Sequence, residues 1–210
     1  MKQMNAFNLP MRPILLALLA LLIVLYGIWA IRHGGIDRLT AVILLALTGV
    51  LVWQGMAERS WLATQSRLSA VATQIAGTPV KVHCQRFSET YFSASSAEGI
   101  VGVDETGAPK GEADLTYSAC RDLAAWIGSN KASPTREQMI AVHVLTHEAM
   151  HVSGITAEGE AECESLSFDA RVAELLGASS KEATALATYY RTKVYPSMPA
   201  GYRTKNCRWA

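Results

Sequence analysis

Two uncharged apolar runs near the start of the chain, Pro13 to Ile31 and Leu39 to Ala57, limit what this sequence can fold into more than any other feature. The first is mostly Leu, Ile, Ala and Val. The second has only Gln54 and two threonines as side-chain polar groups. Each run is about 19 residues, enough for a helix to cross a hydrocarbon layer of about 30 Å. A core helix of a soluble protein rarely stays apolar on every face over such a length. Tyr26, Trp29 and Trp53 fall near the run ends, where amphipathic rings are favoured at a lipid boundary. No small-x-small cleavage site follows the first run and a second run does, which argues against a signal peptide. The expected arrangement is a two-helix transmembrane hairpin over residues 1–57, with spans at about 13–31 and 39–57, embedded in a lipid bilayer.

Basic residues do not orient this hairpin. Lys2 and Arg12 precede the first run, Arg32, His33 and Arg38 lie between the runs, and Arg59 and Arg67 follow the second, a near tie by the positive-inside rule. The cysteines decide it. All four, Cys84, Cys120, Cys163 and Cys207, come after the apolar runs. An even number in so small a domain points to two disulfides and an oxidising compartment, hence to a C-terminal domain outside the cytoplasm at the cell membrane. No C-x-x-C spacing suggests a cysteine zinc site. With a net charge of +1 and no basic stripe interleaved with aromatics, nucleic-acid binding has no support.

Beyond the runs, Trp61, Leu68, Val71 or Ala72, and Ile75 recur at helical spacing, and Gly77 with Pro79 supplies a stop. Residues 58–79 therefore read as a helical stalk and 80–210 as a domain. Val80 to Cys84, Gly99 to Val103, a turn with Gly107 and Pro109, and Ala113 to Tyr117 suggest a short antiparallel β-hairpin or meander. Cys120 to Ile127 reads as a short helix ending at Gly128. Ser133 and Pro134 form a good start for a longer helix that should stop at Gly154. A second helix should begin near Thr156 and end before Gly177, and a third should begin near Lys181. The fold class expected is α+β: the hairpin, then a small, mostly helical domain.

Within the first long helix lies T-H-E-A-M-H-V-S-G, Thr146 to Gly154. Imidazoles at i and i+4 project to one side and can ligate one zinc ion, and the glutamate after the first histidine points to where a water on that ion would sit. Zinc lowers the pKa of such a water to about 7, and the carboxylate can take its proton during attack on a carbonyl. His147 and His151 are thus expected as metal ligands and Glu148 as the catalytic base. A catalytic zinc needs a third protein ligand and an open fourth position. Glu158 and Glu162 are one turn apart on the stripe of Leu166, Ala170 and Ala173, whereas Glu160 and Glu164 fall on the opposite side. A short turn at Gly154 should bring the first pair back against the histidine face.

His147-Glu148-Ala149-Met150-His151 followed by Glu158-Gly159-Glu160-Ala161-Glu162 resembles the gluzincin-type zincin metallopeptidases, whose pattern is H-E-x-x-H and then E-x-x-x-D on a following helix. The resemblance implies that Glu158 is the third ligand and that Glu162, where the family has aspartate, orients His147; the short gap from His151 leaves Glu162 as an alternative ligand. The segment G-I-T-A-E-G-E-A-E-C, the ending Y-P-x-x-P-x-x-Y and Cys207 are also similar to uncharacterised secreted or membrane-tethered actinobacterial proteins of this class. The resemblance covers about residues 80 to 210.

His143, one turn before His147, extends the stripe; it is a candidate to support the metal ligands, or a histidine packed in a partly polar interior. Tyr117, Tyr189, Tyr190 and Tyr202 are candidate oxyanion donors. Gly99 to Val103 could offer an edge to an extended peptide. The order of elements favours the disulfides Cys84–Cys120 and Cys163–Cys207. The function expected is a membrane-anchored zinc metallopeptidase acting on a peptide or protein. The alternative is a non-enzymatic membrane protein, such as an accessory subunit of a membrane-protein partner, with a structural zinc site.

Overall fold

A computed structural model of the chain describes residues 11–35, 37–87, 89, 98–103, 105, 108–204 and 207. The chain divides into two compact units, Met1–Ser60 and Trp61–Ala210. In the first, helix α1 (Met11–Arg32) and the start of helix α2 (Arg38–Ala76) are separated by Gly34 and Gly35, both at positive φ. Asp37 caps α2, its carboxylate accepting from the backbone N–H and the hydroxyl of Thr40. Helix α2 is long and apolar enough to cross a membrane, and none of its most apolar 18-residue window is buried. In α1 the apolar stretch Leu16–Ala30 is shorter than that criterion.

The second unit begins within α2. Leu68, Val71 and Ala72 are buried in the main core, with Trp61 and Ile75 packed against it. The stretch read from sequence as a stalk is therefore part of the domain's core. Its polar residues explain why. Gln65, Ser69 and Thr73 recur one turn apart, and their side-chain oxygens accept from the backbone N–H groups of Cys84, Val82 and Val80 at 2.7, 2.9 and 2.9 Å. Strand β1 (Lys81–Cys84) thus has its outer edge satisfied by helix side chains, where another strand would normally serve.

The three strands form one mixed sheet of order β1-β3-β2. Strand β3 (Pro109–Leu115) pairs in parallel with β1 and antiparallel with β2 (Gly99–Val103), with a register shift between Val101 and Val103. The β2–β3 pair is the expected antiparallel hairpin, and the parallel pairing of β1 with β3 corrects the fully antiparallel meander. Between Cys84 and Pro109 the chain has enough length to cross over and return in the same direction, as a parallel pair requires. Of the turn expected at Gly107 and Pro109, Gly107 lies outside the described residues and Pro109 opens β3. Val82 and Cys84 alternate inward with exposed Lys81 and His83, the pattern of a strand with one covered face.

Helix α3 (Tyr117–Gly128) is capped by Thr116, and Cys120 near its start is bonded to Cys84. Helix α4 (Arg136–Val152) starts two residues later than Ser133 and Pro134 suggest. Thr135 is its cap, in a reciprocal box with Gln138, which satisfies two end groups at once where a serine cap supplies one. Helix α5 (Glu158–Leu175) has Ala157 at its cap with no side-chain acceptor, so Thr156 is not the cap; Glu158 and Glu160 in its first turn oppose the end dipole instead. Helix α6 (Ser180–Tyr189) starts at the Ser179/Glu182 capping box and passes into a wide turn at Tyr190–Val194. A smaller core of Leu166, Tyr190, Val194 and Tyr195 lies beneath the C-terminal tail. The second disulfide, Cys163–Cys207, ties that tail to α5. Both disulfides join the cysteines the order of elements favours.

Candidate metal centre

Helix α4 carries His143, His147 and His151 one turn apart, and its end is built to orient the last of them. After the cap at Ser153, Gly154 at φ +107 lets the chain reverse. The Gly154 N–H then bonds the His151 carbonyl and the Ile155 N–H bonds the Met150 carbonyl, the paired ending of a Schellman turn. The Ile155 carbonyl accepts from His151 Nδ1 at 2.7 Å. A carbonyl only accepts, so Nδ1 carries the proton and the Nε2 lone pair of His151 faces the site.

Helix α5 begins a few residues later and puts Glu158 opposite. His147 Nε2 lies 2.9 Å from His151 Nε2 and 3.1 Å from Glu158 Oε2. His151 Nε2 lies 3.4 Å from the same oxygen. Bonds of about 2.0–2.1 Å in a tetrahedron separate ligand atoms by about 3.3–3.4 Å, so the triangle fits one small ion with slight contraction. Two imidazole nitrogens and a carboxylate oxygen facing one point are difficult to satisfy with one shared proton, and a cation satisfies all three. These groups could hold a metal ion.

Glu162 lies on the other side of His147. Its Oε2 is 3.2 Å from His147 Nδ1, off the ideal N–H axis, and 3.0 Å from His143 Nε2. Its Oε1 accepts from the Tyr190 hydroxyl at 3.0 Å. Glu162 therefore meets His147 at the nitrogen that points away from Glu158, and its oxygens already face three donors. A second buried trio, His143, His147 and Glu162, also has ligand atoms near one another, but His143 and the Tyr190 hydroxyl already hydrogen-bond its carboxylate. Burial opposes the Glu162 charge, yet the bonds and charges of His143 and His147 hold its carboxyl down at about 2.

His143 is buried and flanked on both nitrogens. Asp169 Oδ2 lies 2.9 Å from Nδ1, Glu162 holds Nε2, and the Tyr190 ring stacks on the imidazole with centroids 3.6 Å apart. With a carboxylate at each nitrogen, both must donate, so the ring is an imidazolium. Burial alone lowers its pKa, but Asp169 and then Glu162 outweigh it and raise it to about 10. The result is a buried chain of alternating charge, Asp169, His143 and Glu162, ending on His147. Asp169 was missed from sequence, although its position seven residues after Glu162 on α5 puts it on the same stripe.

Glu148 is 4% exposed, and its Oε2 has no hydrogen-bond partner among the described residues. Burial pushes its carboxyl up to about 7, with His147 pulling down and Glu158 pushing up. Strand β2 closes over it: a Cβ on Gly99 would meet the Glu148 Cδ and Cγ at 2.7 Å, so only glycine fits there without displacing the carboxylate. A cavity of about 620 Å³ opens beside these groups, reaching Glu98 and Arg136 and walled on the tail side by Met198, Pro199 and Tyr202. The tail passes close over α5, since a Cβ on Gly159 would stand 3.0 Å from the Gly201 carbonyl oxygen and Thr204 Cγ2.

Of the four tyrosines singled out from sequence, Tyr202 lines the cavity with its ring 6.0 Å from that of His147, and Tyr190 is committed to Glu162. Tyr117 stacks on Trp61 and Tyr189 packs against the core. Glu162 is buried and Glu160 and Glu164 are exposed, as the stripe argument requires, whereas Glu158, placed on the inward stripe with Glu162, has half of its side chain exposed. Comparison with protein-family models, with curated proteins and with solved structures gives no match.

Proposed function

We propose that this chain is a membrane-anchored zinc peptidase of the gluzincin-like type, with its domain outside the cytoplasm. The observation that carries the reading is the convergence of His147 Nε2, His151 Nε2 and Glu158 Oε2 within 3.4 Å of one another, beside a buried and unpartnered glutamate. Two nitrogens and one oxygen on short bonds suit zinc better than the oxygen-seeking calcium or magnesium. In this reading Glu158 is the third ligand and Glu162 supports His147. A zinc ion held there supplies a water acidified to a pKa of about 7 and polarisation of a substrate carbonyl.

The chain's own residues do the rest. Glu148 receives a proton and passes it to the leaving amine, a role that its carboxyl near neutrality and its free Oε2 favour. Tyr202, whose hydroxyl burial and the neighbouring Glu158 keep protonated, can donate to developing negative charge. Glu162 and the Ile155 carbonyl fix the two imidazoles so that the facing nitrogens remain free. A structural zinc site, the alternative, is normally closed by a fourth ligand and needs neither a spare carboxylate nor an adjoining cavity.

The two disulfides favour an oxidising location, and we read α1 and the apolar part of α2 as a two-span anchor. Replacing Glu148 by Gln tests the reading. One zinc per chain should remain, and turnover of a peptide library should fall by about 10²–10⁴-fold. Equal cleavage by both forms, or no cleavage by zinc-loaded wild type, overturns it.

A further inference from the structure

The two ion-facing imidazoles are fixed by different means. His151 Nδ1 donates to the Ile155 carbonyl, a backbone group that the turn after α4 holds in place. At the Nδ1 of His147 stands a side chain instead, Glu162 Oε2, 3.2 Å away. That oxygen also faces His143 Nε2 at 3.0 Å, so one carboxylate oxygen serves two rings. The terminal torsion of a glutamate has only a broad preference of its own. Whether Glu162 reaches His147 therefore depends on the bonds that set this torsion.

Two groups set it. On Oε1 the Tyr190 hydroxyl donates at 3.0 Å. On Oε2 the donor is His143, which is held from behind by Asp169, with carboxylate oxygens 2.9 and 3.1 Å from Nδ1. Tyr190 also stacks its ring on His143, with centroids 3.6 Å apart and planes 13° from parallel. It is buried in the smaller core with Leu166, Val194 and Tyr195. The wide turn that begins at Tyr190 is of the π type, a rare geometry that concentrates at functional sites. Arg191, next in that turn, donates to the Leu166 carbonyl at 3.1 Å, which pins the turn to the helix that carries Glu162 and Asp169.

The inner groups do not form a path for protons to bulk water. Asp169, Glu162 and His143 are 0%, 1% and 2% exposed, so the chain of charges ends inside the protein. Burying three charges also costs desolvation that apolar residues of equal volume would avoid. What the charged groups add, and apolar ones cannot, is direction.

We propose that Tyr190 and Asp169 are positioning residues for the zinc ligand His147, Tyr190 acting through Glu162 and Asp169 through His143 and Glu162. Together they turn the Glu162 carboxylate so that it takes the Nδ1 proton of His147 and leaves the Nε2 lone pair facing the ion. This rests on the zinc-site reading above.

The test uses the detergent-solubilised full chain and zinc alone, with affinity read by competition against a chelator. Tyr190→Phe keeps the ring stack and removes the hydroxyl, and Asp169→Asn removes the charge behind His143. Each should weaken zinc binding by about 10-fold, the low end for partners of metal-bound imidazoles. Tyr189→Phe, on the neighbouring ring that packs against the main core, should leave it unchanged. In a Glu162→Gln background Tyr190→Phe should cause no further loss, because residues that act through one group are not additive. In the zinc-loaded chain with isotope-labelled histidine, the Nδ1–H signal of His147 should shift and exchange faster with water in both variants, and that of His151 should stay. If Asp169→Asn does not fold, Tyr190→Phe carries the test alone.

Unchanged zinc affinity in the folded variants overturns the proposal and leaves the zinc reading intact. So does a full further loss in the Glu162→Gln background, or a shift of the His147 and His151 signals together. A wild-type chain that binds no zinc overturns the zinc reading, and this proposal with it.

Discussion

Replacing Glu162 by Gln separates the role of this residue from that of Glu158. Glu162 is 1% exposed and accepts from Tyr190 and His143 while facing His147. Its carboxyl is held at about 2 against 4.5 for the free group. At about 1.4 kcal/mol per pKa unit, that difference is worth about 3 kcal/mol of folding free energy. The sign follows from the depressed value: the stabilisation is present above about pH 4.5 and is lost as pH falls towards 2. Glutamine keeps the shape and one acceptor, but its amide turns a donor towards an imidazolium that also donates. In chelator at pH 6 to 7, Glu162→Gln should unfold at lower urea than wild type by near-ultraviolet circular dichroism, a loss of about 3 kcal/mol. Glu160→Gln, on the exposed side of the same turn, should change stability by less than about 0.5 kcal/mol. Zinc affinity of Glu162→Gln should fall about 10–100-fold, the usual cost of removing a group that orients a ligand. A variant as stable as wild type in chelator, or one in which zinc binding vanishes altogether, refutes the assignment of Glu162 behind His147.

Other outcomes follow from the same coordinates. In chelator, the stability gap between wild type and His143→Gln should be full below about pH 6.5 and shrink as pH rises through about 10, because the folded-state pKa is raised by Asp169 and Glu162 on α5 against burial, with His147 and Tyr190 also facing the ring; melting curves across that range check it, and a gap that widens contradicts it. Gly159→Val should destabilise by about 1–3 kcal/mol through the crowded tail crossing, read as a lower Tm. Joint replacement of Cys84 and Cys120 by Ser, which opens a link across 36 positions, should cost about 3–4 kcal/mol in urea unfolding.

Much of the site could be read in the sequence because it is local. Two imidazoles one turn apart, a glycine that reverses the chain and acids one turn apart on the next helix are short-range relations, and the folded helices keep them. Glu158 and Glu162 could not be ranked from sequence, since which one reaches Nε2 depends on the approach of α5 across a turn only a few residues long. The pairing of β1 was hidden for a different reason. Parallel or antiparallel partnership is set by a crossover of more than 20 residues, and the spacing of apolar residues in a strand does not record it. His143 had two readings because its meaning lies in Asp169 and Tyr190, 26 and 47 positions away. The cap of α4 moved because Thr135 with Gln138 satisfies more end groups than Ser133 does.

The three side-chain oxygens that α2 extends to β1 also determine where the chain can be cut. A soluble fragment beginning at Val80, where the sequence changes from helix to strand, would lose the acceptors of the Val82 and Cys84 backbone N–H groups and the Leu68, Val71 and Ala72 side chains from the core. It would also bare the edge of β1 to neighbouring molecules, a known route to aggregation. A fragment beginning before Trp61 keeps that helix in place and is the one that should remain dispersed and take up zinc.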